Sequence, residues 1–95
     1  AHRGARRAAP ENTLPAFQAA LDIRADGVEL DVHCSKDGQL MVIHDFDVDA
    51  TTNEHGPVSN FTADQLAHMD AAAHFEGGFA TTGIPTLLQV LDLID

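Results

Sequence analysis

Residues 26–45, DGVELDVHCSKDGQLMVIHD, constrain this chain more than any other stretch. Two short apolar runs, 28–32 and 40–43, flank a turn signal at Ser35-Lys36-Asp37-Gly38. Side chains along a strand alternate between faces. Val28, Leu30 and Val32 then share a face that needs a core, and Glu29 and Asp31 share the opposite one. Two neighbouring carboxylates repel, and burying them is costly unless they are paired or bound to a metal. The second run ends in His44-Asp45, returned towards the start of the turn. Hard oxygen donors and an imidazole are thereby brought near one another.

Charge narrows the partners. The formal net charge is -10, with only five Lys and Arg. This balance argues against a nucleic-acid backbone or an anionic membrane as main partner, because both need basic patches. Three of the basic residues, Arg3, Arg6 and Arg7, cluster near the N-terminus, so a local anion site survives there. Cys34 is the lone cysteine, forms no internal disulfide and leaves the compartment open. No apolar run is long enough to span a membrane. Both ends of the chain look cut.

Residues 1–11 read as a loop. Asn12 or Thr13 is the expected N-cap of a helix, with Pro15 tolerated in its first turn. Leu14, Phe17, Gln18 and Leu21 follow helical spacing, and the helix should end near Arg24. A strand over 28–32, the turn and an extended arm over 40–43 follow. Residues 46–61 read as loop, broken by Gly56-Pro57. Thr62 and Gln65 form a capping-box pattern for a short helix to about Met69. Residues 70–83 should be irregular. Thr86 and Gln89 repeat the capping pattern, and Leu87, Val90, Leu91 and Ile94 make a helical stripe.

Glu29-x-Asp31 at strand spacing suits Mg²⁺ or Ca²⁺, which prefer carboxylate oxygens. The alternative is a solvated face, or an ion pair with Arg3 or Arg24. At His44-Asp45 a carboxylate can hold an imidazole tautomer for acid–base work. The alternative is a surface turn capped by Asp45. His2-Arg3 pairs a proton carrier with an anion clamp, against the alternative of a frayed basic terminus. His33 is expected to face away from Glu29 and Asp31, and both it and Cys34 are read as structural. His55, His68 and His74 are read as surface residues.

Together the motifs resemble one family. His2-Arg3-Gly4, Pro10-Glu11-Asn12-Thr13, Gly27-Val28-Glu29-Leu30-Asp31-Val32, Lys36-Asp37-Gly38, Val42-Ile43-His44-Asp45, Thr51-Thr52 and Ile84-Pro85-Thr86-Leu87 occur in the order seen in glycerophosphodiester phosphodiesterases. The resemblance implies an α/β fold, part of a TIM (β/α)8 barrel. It also implies metal-dependent hydrolysis of glycerophosphodiesters to glycerol 3-phosphate and an alcohol. By the same resemblance His2 and His44 are the acid–base pair and Arg3 binds the substrate phosphate. Glu29 and Asp31 become ligands of Mg²⁺ or Ca²⁺, with a third ligand expected beyond Asp95.

Such a barrel needs ~250 residues. Residues 1–95 are therefore expected to be a fragment of one catalytic domain, roughly its first two βα units. Residues 46–84 would be the small insertion after the second strand. The rest of the barrel is expected from missing sequence or other chains, and the isolated fragment is expected to be inactive. The partner is a small-molecule phosphodiester. Ala50, Ala72, Leu88 and Gln89 depart from residues common in the family. Those departures motivate an alternative, a non-catalytic cation- or phosphate-binding module. A phospholipase D-like or phosphoinositide-cleaving relative shares the paired-histidine and carboxylate layout.

Overall fold

The computed structural model describes residues 1–95. Its elements are α1 (Leu14–Asp22), β1 (Val32–Cys34), β2 (Leu40–Val42), a 3-10 turn (Val58–Asn60), α2 (Ala63–Ala67) and α3 (Leu87–Ile94). No helix is long and apolar enough to cross a membrane.

Local chemistry sets the helix starts. The Thr13 hydroxyl accepts the Ala16 N–H at 3.3 Å and caps α1, which settles the choice between Asn12 and Thr13. The helix ends two residues before the expected Arg24, which lies at φ 56° in the left-handed region. Both expected capping boxes form, Thr62 with Gln65 and Thr86 with Gln89, each satisfying two otherwise orphaned donors. The helix α2 stops at Ala67, short of Met69, and the 3-10 turn lies inside the stretch expected to be loop.

The strand expectation needs correction. The ladder begins at Val32, not Val28, and pairs β1 with β2 antiparallel, with His33 opposite Met41. Residues 28–31 are extended but carry only one isolated parallel bridge, His2 with Glu29. The physical reason is the shortness of the partner. The Ala1 amino group bonds the Gly27 carbonyl, Glu29 N–H donates to Ala1 O at 2.6 Å, and Arg3 N–H donates to Glu29 O at 2.7 Å. The backbone then turns at Arg3, whose φ is 55°, and pairing ends. The sheet therefore has two antiparallel strands, the strand, turn and returning arm of the sequence reading, and the one parallel contact is the His2–Glu29 bridge.

Alternation survives outside the ladder. Val28 and Leu30 pack on Phe17, Val42 and Val90, with Leu14 and Leu87 from the two long helices. Val32, expected on the same core face, is 39% exposed, because β1 has no neighbour beyond β2. On the opposite side of β2, Met41 and Ile43 join Val48, Val58, Leu66 and Ile84 in a second core. This second core is built largely by the 46–84 insertion. Val42 N–H donates to Pro85 O at 2.9 Å, and Met41 bridges Thr86, so the insertion returns to the sheet where α3 begins.

The insertion is also tied polar group to polar group. Asp37 in the hairpin turn accepts the Ser35 hydroxyl and the Ala63 N–H. These two bonds, the Ser35 one first, hold its carboxyl below the usual aspartate range. Asp49 accepts Gly56 N–H at 2.9 Å and His55 Nδ1 at the same distance, which lowers it likewise.

Two predictions follow from this packing. A Cβ at Gly83 would sit 2.0 Å from the Ala67 carbonyl oxygen, whereas one at Gly27 would meet nothing within 4 Å. Gly83→Ala is expected to cost ~2–3 kcal/mol by overpacking, and Gly27→Ala no more than about 0.5 kcal/mol. Urea melts of both variants check the order. The second concerns acid. A carboxylate whose folded pKa is depressed stabilises the fold above its unfolded value, about 4, and loses that contribution as pH falls through the folded pKa. Asp37→Asn should therefore flatten the fall in stability seen on acidification below about pH 4. An unchanged acid limb in the variant would show that Asp37 is not a source of it.

Candidate active site

The site forms where residues 1–12 cross the extended segment 28–31. Arg3 and Asn12 both adopt left-handed backbone, at φ 55° and 54°, and Asn12 N–H donates to Arg3 O at 2.9 Å. Residues 3–12 are thereby a closed loop. Gly4 lets the loop press on α1, since a Cβ there would lie 2.8 Å from Ala16 backbone.

Closure sets the side chains. His2 Nε2 lies 3.0 Å from Glu29 Oε2, with both groups about half exposed. Arg3 NH1 donates to Glu11 Oε2 at 3.1 Å. Arg3 Nε lies 3.5 Å from Asp31 Oδ2, within ion-pair range but without a hydrogen-bond partner. Asn12 Nδ2 donates to the same Asp31 oxygen at 3.3 Å. The acidic pair is thus divided, Glu29 to His2 and Asp31 to Arg3 and Asn12. Of the expected ion pairs, the one with Arg3 forms.

His44 closes the hairpin arm. Ile43 N–H donates to Asp31 O at 3.0 Å, so the arm is zipped to the acidic segment one residue before His44. His44 Nδ1 donates to Asp45 Oδ1 at 2.7 Å, which leaves Nε2 as the free ring nitrogen. His44 shares a narrow crevice with Glu11, Asn12 and Thr51. It makes no hydrogen bond or ion pair with the side chains of His2, Arg3, Glu29 or Asp31. The predicted residues form two neighbouring groups, one on the acidic segment and one at the arm tip, bridged by Glu11 and Asn12.

His33 requires a correction. It lies two and four positions from Asp31 and Glu29, an even spacing that places it on their face rather than away from them. Its Nε2 sits 2.9 Å from the His44 carbonyl, and its ring meets Phe46 edge-on. Its role is structural, as expected, but it supports the arm tip. His55 and His68 are exposed, as expected.

A divalent ion can be tested against these donors. No three His, Cys, Asp or Glu side chains gather closely enough to hold one. Glu29 and Asp31 nevertheless supply hard oxygens, the type Mg²⁺ and Ca²⁺ prefer. The buried Asn12 Oδ1 beside Asp31 has no hydrogen-bond partner, so an oxygen acceptor is left unanswered at this place. The two carboxylates fit such an ion as part of its shell.

The sequence profile of the glycerophosphoryl diester phosphodiesterase family matches residues 2–95. The chain belongs to this family. A glycerophosphodiester phosphodiesterase of Caldanaerobacter subterraneus is 50% identical over 94 residues, which is 99% of this chain and 39% of that relative. A solved Oleispira antarctica phosphodiesterase, in complex with the product sn-glycerol-3-phosphate, superposes with TM-score 0.92 at 34% identity. It is covered over 38% of its length by 99% of this chain. The Agrobacterium tumefaciens glycerophosphodiester phosphodiesterase superposes with TM-score 0.89 at 45% identity, with 96% of this chain covering 39% of that one. The chain spans under two fifths of the family members it matches.

Glu11 had no role in the sequence reading and Asn12 only that of a candidate helix cap, although Pro10-Glu11-Asn12-Thr13 carried part of the family resemblance. Their signal was present only as a motif. Loop closure cannot be read from spacing, since it depends on two left-handed residues whose side chains are not glycine.

That backbone gives a prediction. Asn12→Ala loses the Asp31 bond and strains a left-handed position, and is expected to cost ~2–3 kcal/mol. Asn12→Gly loses the bond but relaxes the backbone, and should cost less. Denaturant melts of the two variants give the order. Equal costs would mean that backbone strain contributes nothing.

Proposed function

We propose that the whole protein carrying this chain hydrolyses glycerophosphodiesters to glycerol 3-phosphate and an alcohol, and that these residues supply the first part of its TIM barrel. The observation that carries the reading is Arg3, held between Glu11 and Asp31, with one histidine beside it in sequence and another at the tip of the zipped arm. Family membership and the product complex of the Oleispira antarctica relative support it. The exposed Ile23, Leu88 and Leu91 are then the apolar positions on which further barrel units would pack.

In this reading Arg3 binds non-bridging phosphate oxygens, because a guanidinium matches their geometry and stays charged. Glu11 and Asp31 fix its planar head before substrate arrives. One of His2 and His44 takes the proton of the attacking oxygen, either water or the substrate's own neighbouring hydroxyl, and the other protonates the oxygen of the departing alcohol as the P–O bond breaks. Where the hydroxyl attacks, water then opens the cyclic phosphate to glycerol 3-phosphate. Asp45 holds the His44 tautomer, so that Nε2 is the nitrogen that exchanges the proton. Glu29 engages His2 through Nε2 instead, which leaves Nδ1 of that ring for the proton. Glu29 and Asp31 would hold Mg²⁺ or Ca²⁺, which when bound supplies positive charge to the phosphate oxygens.

A hydrolysis assay on glycerophosphocholine tests the reading in the whole protein. His44→Ala and His2→Ala are each expected to lower kcat about 10²–10⁴-fold, the usual contribution of a positioned acid or base. Chelation with EDTA should abolish turnover, and Mg²⁺ or Ca²⁺ should restore it. Turnover indifferent to both substitutions would remove the histidines from the mechanism.

A further inference from the structure

The N-terminal loop and the insertion enclose a cleft of about 430 Å³ that plays no part in the mechanism above. Arg6 and Arg7 line one wall, and His74, Phe75 and Glu76 line the other. Glu11, Thr51 and Ala71 belong both to this cleft and to the crevice that holds His44, so the two spaces adjoin. Glu11 is also the carboxylate bonded to Arg3. The cleft therefore opens beside the place assigned to the phosphate.

Its lining is balanced, with Arg6 and Arg7 against Glu11 and Glu76, but Glu11 is taken up by Arg3. Against a net charge of -10, Arg6 and Arg7 make no ion pair and no side-chain hydrogen bond. Glu11 is already engaged by Arg3, which leaves Glu76 as the one uncommitted acid of the cleft. The two guanidiniums stand on the closed 3–12 loop, fastened to α1 by Ala5 N–H donating to Ala16 O at 2.9 Å. They are thus held by a fixed backbone rather than a frayed end. Pro10, Ala50 and Phe75 add apolar lining, while Arg6 and Arg7 are exposed and free to meet a ligand.

We propose that this cleft is a head-group subsite for diesters whose leaving alcohol carries its own anionic group, with Arg6 and Arg7 as the clamp. The proposal rests on the diesterase reading of Arg3 and His44. A diester phosphate on Arg3 would direct its alcohol substituent past Glu11 into the cleft, where a carboxylate meets two unpaired guanidiniums.

Glycerophosphoserine and glycerophosphoethanolamine differ by one carboxylate and make the test. In the whole protein, the double variant Arg6→Gln, Arg7→Gln is expected to raise the ratio of the serine KM to the ethanolamine KM about tenfold, the scale of a charge-assisted hydrogen bond. A ratio that does not move overturns the proposal. Calorimetric binding of both diesters in a His44→Ala background gives the same comparison without turnover. If the parent hydrolyses neither diester but the carboxylate preference in binding vanishes with the two arginines, the cleft stands and the hydrolytic reading fails. If both diesters are hydrolysed and bind alike with or without the arginines, the cleft falls and the hydrolytic reading stands.

Discussion

The structure depends on one short strand that serves two cores. Met41, Val42 and Ile43 are all nearly inaccessible, and their side chains go alternately to the insertion core and the helix core. Burying both faces of a strand is unusual in a two-stranded sheet, which by itself is marginal in water. Here the hairpin is held because each face has its own apolar cluster. Ile43 N–H bonds Asp31 O and Val42 N–H bonds Pro85 O, while Met41 bridges Thr86. The strand thus fixes the acidic segment on one side and the start of α3 on the other.

Given that strand, the site is an electrostatic compromise. Glu29 and Asp31 sit on one extended segment and would repel. The N-terminal loop answers each separately, with His2 and with Arg3. The arrangement requires the backbone to turn at Arg3 and again at Asn12 in a conformation that costs energy for residues other than glycine. The cost is offset locally by backbone bonds from Arg3 to Glu29 and from Asn12 to Arg3. Strain of this kind collects at functional sites because the surrounding structure over-determines it.

The insertion is more than a cover. It carries its own core, its own capped helix and Asp49, whose charge is held by the Gly56 N–H and His55, and its Ala63 N–H reaches Asp37 of the hairpin turn. It also supplies the wall that faces the N-terminal loop. A cleft with one basic wall arises only where these two segments meet, and Arg7 and His74 on its two walls are 67 positions apart in the chain.

The sequence by itself determined the local pieces and the family. Thr62 with Gln65, and Thr86 with Gln89, announced two helix starts, because a capping box is a contact across three residues. The alternation of Glu29 and Asp31 against Val28 and Leu30 was legible for the same reason, since face is fixed by parity. The ordered motifs identified the family without any geometry. Only the tertiary structure decided where the ladder begins, that Val32 lies partly open, that His33 supports the arm tip, and that Glu11 and Asn12 bridge the two histidine groups. Each of these depends on which distant segment arrives as a neighbour, and on left-handed turns at Asn12, which tolerates that backbone, and at Arg3, which local propensity disfavours.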